Sequence, residues 1–354
     1  MENCSFSKGG SDHIASLIKE ALMNETRTAT VSGNWEIDTP VRIPSNFTLI
    51  LEDCHLKLAD SVYCNIFINE NSGTDIGKTL SGTDRNINII GRGKAILDGG
   101  NYNGLSEKTQ LKDGLPGIWN NNLILFTNVD GFKIEGIACH NQRWWAMNFI
   151  YCSNGYVGNI DFQATDTAID ENGNEYHCLS LAKYSDILVK NADGIDLRVG
   201  CHDILIENIT GFTEDDSVAL TALLGRMEDT FAVEGHPTDI YNVTVRNINT
   251  AALCSCVRLL NQGGPKLHDI VVDGVYDKGY ECPSMDRGFI GVRVGDIHLY
   301  GACYPTEGDT YNITIKNVRS CAHYAVSLSC DIENLVMYGI ETFDGAKMLL
   351  DERK

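Results

Sequence analysis

Apolar and polar residues alternate in short runs that return along the whole chain, each opened by a small polar residue or glycine. Asn46-Phe47-Thr48-Leu49-Ile50-Leu51, Asn86-Ile87-Asn88-Ile89-Ile90-Gly91 and Gly131-Phe132-Lys133-Ile134-Glu135-Gly136 are early copies. Ser185-Asp186-Ile187-Leu188-Val189, His202-Asp203-Ile204-Leu205-Ile206, Asn242-Val243-Thr244-Val245, His268-Asp269-Ile270-Val271-Val272 and Asn312-Ile313-Thr314-Ile315 follow. Strict alternation rich in β-branched residues predicts strands with one buried face. The copies recur at uneven intervals, as expected when short stacked coils carry loops of different lengths. A propeller would be more regular, and a doubly wound α/β sheet would need long helical patterns between the strands. The pattern predicts an all-β chain folded as a right-handed, single-stranded parallel β-helix, in which stacked turns share a core that no turn could bury alone.

One helical pattern stands apart. Ile14, Leu17, Ile18, Ala21 and Leu22 form an apolar stripe over residues 12–24, with Ser11 placed to cap it. A solenoid's first coil would otherwise expose its core and strand edges, so this helix is expected to close the N-terminal end. The expected organisation is one β-helix domain over 1–354, with a cap region at 1–35 and coils from 36 onward. Gly345-Ala346-Lys347-Met348-Leu349-Leu350 is the candidate closure at the other end.

Composition narrows the chemistry. Hydrophobic residues at 43% supply a core, and charged residues at 21% are too few for a disordered chain. A formal net charge of −20 argues against a nucleic-acid partner, which needs a basic footprint. No run of eighteen apolar residues predicts a membrane span, and Met1-Glu2-Asn3-Cys4-Ser5-Phe6 carries no signal-peptide pattern, so a cytoplasmic location is expected. The thirteen cysteines are scattered, odd in number and without a CxxC pair, which reads as reduced thiols filling inward positions. The sequons at Asn46, Asn208, Asn242 and Asn312 sit at recurrent turns, where side-chain hydrogen bonding accounts for them. No cofactor or metal is implied, and a homo-oligomer is among the states the sequence allows.

The candidate chemistry lies in Asn191-Ala192-Asp193-Gly194-Ile195-Asp196 and, about one repeat later, Glu214-Asp215-Asp216-Ser217. Residues one period apart become spatial neighbours in a stacked fold, so Asp193, Asp215 and Asp216 are expected to converge. Clustered carboxylates repel one another and raise each other's proton affinity, a cost that glycoside hydrolysis puts to use. Asn191 could orient a carboxylate or sugar hydroxyl, or make an asparagine-turn hydrogen bond. Asp196 could serve as a further acid, but is better read as a structural partner of Arg198. Arg258 offers a fork of donors for a sugar's hydroxyls or carboxylate. Trp144 and Trp145 are candidates for stacking on a sugar face, one of them being expected to pack internally. The loops 101–122 and 226–238 are long enough to wall off a pocket for short oligosaccharides.

The repeats and acidic positions together resemble glycoside hydrolase family 28, the polygalacturonases and their relatives. Gly91-Arg92-Gly93 with Leu97-Asp98-Gly99-Gly100 is similar to the family's G-x-G-x-I-D-G coil, and Asn141-Gln142-Arg143-Trp144-Trp145-Ala146-Met147-Asn148 to its N-S-P-x-W-x-I-H segment. Asn191-Ala192-Asp193 resembles N-T-D, Asp215-Asp216 the D-D pair, and Val257-Arg258-Leu259-Leu260 the R-I-K segment. The resemblance implies an inverting glycosidase for a galacturonan-like or related plant or microbial glycan, with Asp215 as general acid and Asp193 and Asp216 activating water. Two departures stand out. The lysine of R-I-K is Leu260, and the G-H-G coil is not recognisable, leaving His236 in Gly235-His236-Pro237 as the remaining histidine candidate for substrate contact. Another β-helix carbohydrate activity (lyase, epimerase or fructosyl transferase) and a noncatalytic glycan-binding solenoid are the competing readings.

Overall fold

The computed structural model describes residues 5–100, 117–142, 144–164, 167–169, 175–177, 193–262, 264–277, 290–295 and 307–353. After helix α1 (Gly10–Met23) come β1 (Thr28–Ile37), β2 (Val41–Ile43), β3 (Phe47–Leu58) and β4 (Phe67–Asn69). Next are β5 (Asp84–Asp98), β6 (Ile124–Glu135), β7 (Ala138–His140) and the long β8 (Trp145–Gln163). A small antiparallel pair, β9 (Thr167–Ile169) and β10 (Glu175–His177), precedes β11 (Asp193–Leu197). The chain continues through β12 (His202–Thr213), β13 (Val218–Ala222), the short helix α2 (Arg226–Thr230), β14 (Ile240–Ala252), β15 (Ser255–Asn261) and β16 (Leu267–Asp277). It closes with β17 (Ile290–Val294), β18 (Thr310–Ser320), β19 (Tyr324–Leu328), β20 (Glu333–Thr342) and β21 (Lys347–Asp351).

From β11 onward each strand pairs in parallel with the strand two steps on, so long and short strands build two stacks along one axis. This is the right-handed parallel β-helix that the alternating pattern predicts. Inward residues form ladders. Leu49, Ile89, Ile134, Val157, Ile206, Val245, Val272 and Ile315 pair in sequence from rung to rung, and all eight are fully buried. At about 1.5–3 kcal/mol for each such side chain, these ladders are the main source of stability. The apolar cluster they belong to runs without a break from Ile14 to Cys330. The described cysteines are free, and all are buried except the half-buried Cys254.

The polar residue opening each phrase has a geometric task. Asn46, Asn86, Asp203, Asn242, Asp269 and Asn312 all adopt left-handed backbone with φ between 52° and 57°, which Asn and Asp tolerate better than other side chains. Their side chains then bond along the axis: Asn86 Nδ2 donates to Asn46 Oδ1 at 2.9 Å, Asn312 Nδ2 to Asp269 Oδ1 at 2.8 Å, and Asn242 Nδ2 to Asp203. Asn208 joins a parallel ladder between Asn159 and Asn247. All four sequon asparagines therefore carry the turn hydrogen bonds expected of them. The copy at Ser185–Val189 lies outside the described residues.

Helix α1 buries Ile14, Ile18 and Ala21 against the first coil, as expected of an end cap. Its start differs from the sequence expectation. Gly9, at φ 77°, is the N-cap, and Ser11 lies inside the helix, where its hydroxyl donates to Thr39 O at 2.9 Å and accepts from the Asp38 and Thr39 amides. The reason is close approach: a side chain on Gly10 would collide with Glu36 O and Trp35, so the helix can only begin this near β1 through glycine. The C-terminal end also differs. Residues 347–351 form the last rung, β21, pairing with β19, and leave Met348 and Leu349 exposed instead of closing the core. Among the described residues no helix is long and apolar enough to cross a membrane.

Candidate active site

The stack β8–β11–β13–β15 brings the acidic segments together. Asp193 lies opposite Trp145, Ile195 opposite Val218, and Val218 opposite Val257, so consecutive rungs present the Asp193 turn, the Asp215-Asp216 turn and Arg258. Gly194 permits the contact, because a side chain there would strike Ser217 O and the Phe162 ring. Its amide donates to Asp216 O at 2.9 Å, and the Ile195 amide to Ser217 O at 3.0 Å. The reciprocal bond runs from the Asp216 amide to Asp193 Oδ1 at 3.2 Å. Arg258 Nη1 then donates to Asp216 Oδ2 at 3.2 Å, both side chains being buried. The other oxygen, Asp216 Oδ1, is buried and accepts no hydrogen bond from any described residue.

These groups line a cavity of about 250 Å³. Asp193, Asp215, Asp216 and Arg258 form one side, with Trp145, Asp196 and Arg198 toward the N-terminal rungs. Leu223, Leu224, Arg226, Met227 and Glu228, from the segment that carries α2, form another wall. Arg198 is held three ways: Nη2 donates to Asp196 Oδ1 at 3.2 Å, Nη1 lies 3.9 Å from Glu228 Oε1, and the guanidinium stacks 4.2 Å from the Trp145 ring centre. Behind this group, the buried Asn148 donates to Asn122 Oδ1 at 3.3 Å and lies 3.5 Å from Met227 Sδ, tying α2 to β8. Burial first, and then the charges of Asp215 and Asp216, push the pKa of the nearby Cys254 thiol well above the ordinary value. A thiol kept protonated in this way is a poor nucleophile.

Asp193, Asp215, Asp216, Arg258 and Trp145 therefore meet at one cavity, and the Asp196–Arg198 pairing is present as expected. Trp144 does not line it. At φ 52° and 1% exposure it packs deep in the apolar cluster with Ile150, Tyr151 and Phe231, a cluster that Trp145 and Met227 join from the cavity side. Trp145 lines the cavity, but Arg198 covers one of its ring faces. His236 is also elsewhere: its Nδ1 lies 2.8 Å from Pro237 O, and its ring packs beside Tyr151 and His202. Asn191 lies outside the described residues. Glu228, Met227 and Leu224 are lining residues that sequence reasoning did not single out, although the loop 226–238, expected to wall a pocket, supplies Met227 and Glu228. They come from a loop without periodicity, and their only sequence signal is the length of the segment between β13 and β14.

That loop stands where the family pattern would have another rung. β13 pairs directly with β15, setting Ala219 beside Arg258 and Thr221 beside Leu260, and β12 pairs directly with β14. The coil that would carry G-H-G is absent between them, and the α2 segment crosses the gap. Comparison with known families gives the same lineage: the model of "Glycosyl hydrolases family 28" matches residues 39–255, more than half of the chain. The chain belongs to glycosyl hydrolases family 28. It is thereby a polygalacturonase-like glycosidase. The family match contains Asp193, Asp215 and Asp216 and stops short of Arg258 and Leu260.

Solved structures agree in fold with this family 28 chain. An exopolygalacturonase from Thermotoga maritima superposes with a TM-score of 0.53 at 15% identity, over 95% of this chain and 85% of that one. An endo-xylogalacturonan hydrolase from Aspergillus tubingensis gives 0.54 at 13% identity, over 98% and 94%. The tailspike protein of E. coli bacteriophage HK620 gives 0.52 at 15% identity, over 96% of this chain and 61% of that one. Such identities show a shared fold and leave the substrate to the site itself. No curated protein sequence matches the chain.

Proposed function

We propose that this family 28 chain hydrolyses short oligosaccharides with inversion at the anomeric carbon, through Asp193, Asp215 and Asp216. The observation that carries the reading is the convergence of the three carboxyl groups on one cavity, with Asp216 anchored to Arg258 through one oxygen and to Asp193 through its amide. Two carboxyl groups locked together through the Asp216 amide make a base that can hold and deprotonate one water. Asp215, next in sequence and on the same cavity, supplies the proton to the leaving oxygen. Trp145 and Arg198 flank the bound sugar on the N-terminal side. The small volume and the α2 wall favour a substrate presented by its end.

Incubation with a panel of oligosaccharides, read by mass spectrometry, tests this. The wild type should release sugar units from at least one member. Asp215→Asn, which keeps the shape and removes the acid, should slow that release by about two to four orders of magnitude. Equal rates for the two proteins would refute the assignment.

A further inference from the structure

Taking the site to be the glycosidase site proposed above, we infer that it selects an uncharged glycosyl residue and rejects a uronate. Among the described residues, five carboxyl groups line the cavity (Asp193, Asp196, Asp215, Asp216 and Glu228) against three guanidinium groups (Arg198, Arg226 and Arg258). The acids are therefore in excess before any substrate enters. Nor are the two buried cations, Arg198 and Arg258, at a ligand's disposal. Arg258 is spent on Asp216, Arg198 on Asp196 and Glu228 with Trp145 stacked beneath it, and Arg226 lies over the Trp119 ring at 5.8 Å. A uronate is ionised at neutral pH. It would have to break one of these buried pairs, leaving its acid uncompensated, or sit unpaired in an acidic cavity, and either is costly.

Leu260 completes the case. On β15 it lies two residues beyond Arg258, on the same outward face, opposite Thr221, and it puts an apolar side chain on the cavity beside that guanidinium. With Leu223, Leu224, Met227 and Ala219 it gives the wall an apolar surface, suited to the C–H face of a neutral sugar. A hydroxymethyl or methyl substituent can rest on that wall, whereas a carboxylate there would lose its hydration with nothing to replace it.

Titration by ligand-observed NMR with monosaccharide pairs that differ only at C6 tests the inference: galactose with galacturonate, glucose with glucuronate, and mannose with mannuronate. The wild type should bind at least one neutral sugar at least tenfold more tightly than its uronate. Leu260→Lys should narrow that ratio about tenfold, and Leu260→Met should leave it unchanged. A uronate bound as well as its neutral partner would overturn the inference, and so would failure of every sugar to bind. Neutral sugars bound selectively, with no oligosaccharide turned over, would support the selectivity while sinking the hydrolytic assignment, so the two readings fail separately.

Discussion

Strands β12, β14 and β16 alternate buried positions with half-buried or exposed ones, whereas β11, β13 and β15, from the same coils, are buried throughout. On the long strands the outward groups are matched rung to rung. His202, Tyr241, His268 and Tyr311 stack nearly parallel with centroids 4.5–5.2 Å apart, and the asparagine ladders bond beside them. On the short strands the outward groups are Asp196 and Arg258, covered by the α2 segment and joined by buried ion pairs. Asp216 Oδ1, Asn148 Oδ1 and Arg198 Nε are buried there without hydrogen-bond partners among the described residues. The long strands carry unpartnered buried atoms too, the neutral Asn249 Oδ1 and Thr310 Oγ1, but those at the site include atoms of the charged Asp216 and Arg198, a cost that a functional site explains.

The sharpest way to break this contrast is to separate turnover from stability. Asp215→Asn and Asp193→Asn should each lower turnover by about two to four orders of magnitude while leaving the denaturant midpoint unchanged or raised. A comparable loss of stability in either variant would mean that these aspartates are structural. Arg258→Ala should do both kinds of damage, because it leaves Asp216 buried without its cation. We expect about 3–5 kcal/mol of lost stability in chemical denaturation, together with lost activity.

On the ladder side, Ile206→Ala should cost about 2–5 kcal/mol and leave kcat unchanged in the protein that remains folded. Asn247→Ala should cost about 1 kcal/mol, since alanine neither favours φ 54° nor bonds to Asn208, and Asn247→Gly should recover part of it. His236→Ala should change turnover little, because the ring packs away from the cavity.

Acid should act on a third region, where His140 and Asp98 lie at adjacent rungs. Burial pushes the His140 pKa below its ordinary 6.5. At Asp98 burial works the other way but is outweighed by hydrogen bonds from His55, Asn141 and the Gly100 amide, so its pKa falls below the ordinary 3.8. Both groups bind protons more readily when unfolded, so both stabilise the fold at higher pH. The His140 contribution should start to fade as pH drops through about 6.5, and the Asp98 contribution below 3.8. Denaturant midpoints against pH should therefore fall on acidification, and Asp98→Asn should flatten the lower part of the curve.

Much of this was legible before the structure because the coil repeats. Asn46, Asn86, Asn242 and Asn312 mark the left-handed turn of their rungs, and the alternating residues after them declare the inward face. The same period placed Asp193, Asp215, Asp216 and Arg258 together. What did not repeat was not legible. Glu228, Met227 and Leu224 reach the cavity from a loop whose path depends on a coil that is missing, and the contact between Asn148 and Met227 spans 79 residues. Trp144 and Trp145 are adjacent in sequence and share one apolar cluster, but Trp144, at positive φ, is buried within it, whereas Trp145 also lines the cavity. Gly10 shifted the start of α1 for a reason that lies in β1, beyond the reach of a local capping rule.

Proton NMR of the first sugar released from an oligosaccharide substrate reports most directly on whether Asp193 and Asp216 activate a water while Asp215 protonates the leaving oxygen. In that chemistry the water attacks from the face opposite the leaving group, and the product appears first as the anomer opposite to the substrate's. Inversion, slowed by orders of magnitude in Asp215→Asn, is the predicted result. Retention of configuration would require a covalent sugar–enzyme intermediate and would contradict the assignment, even if all three aspartates proved essential.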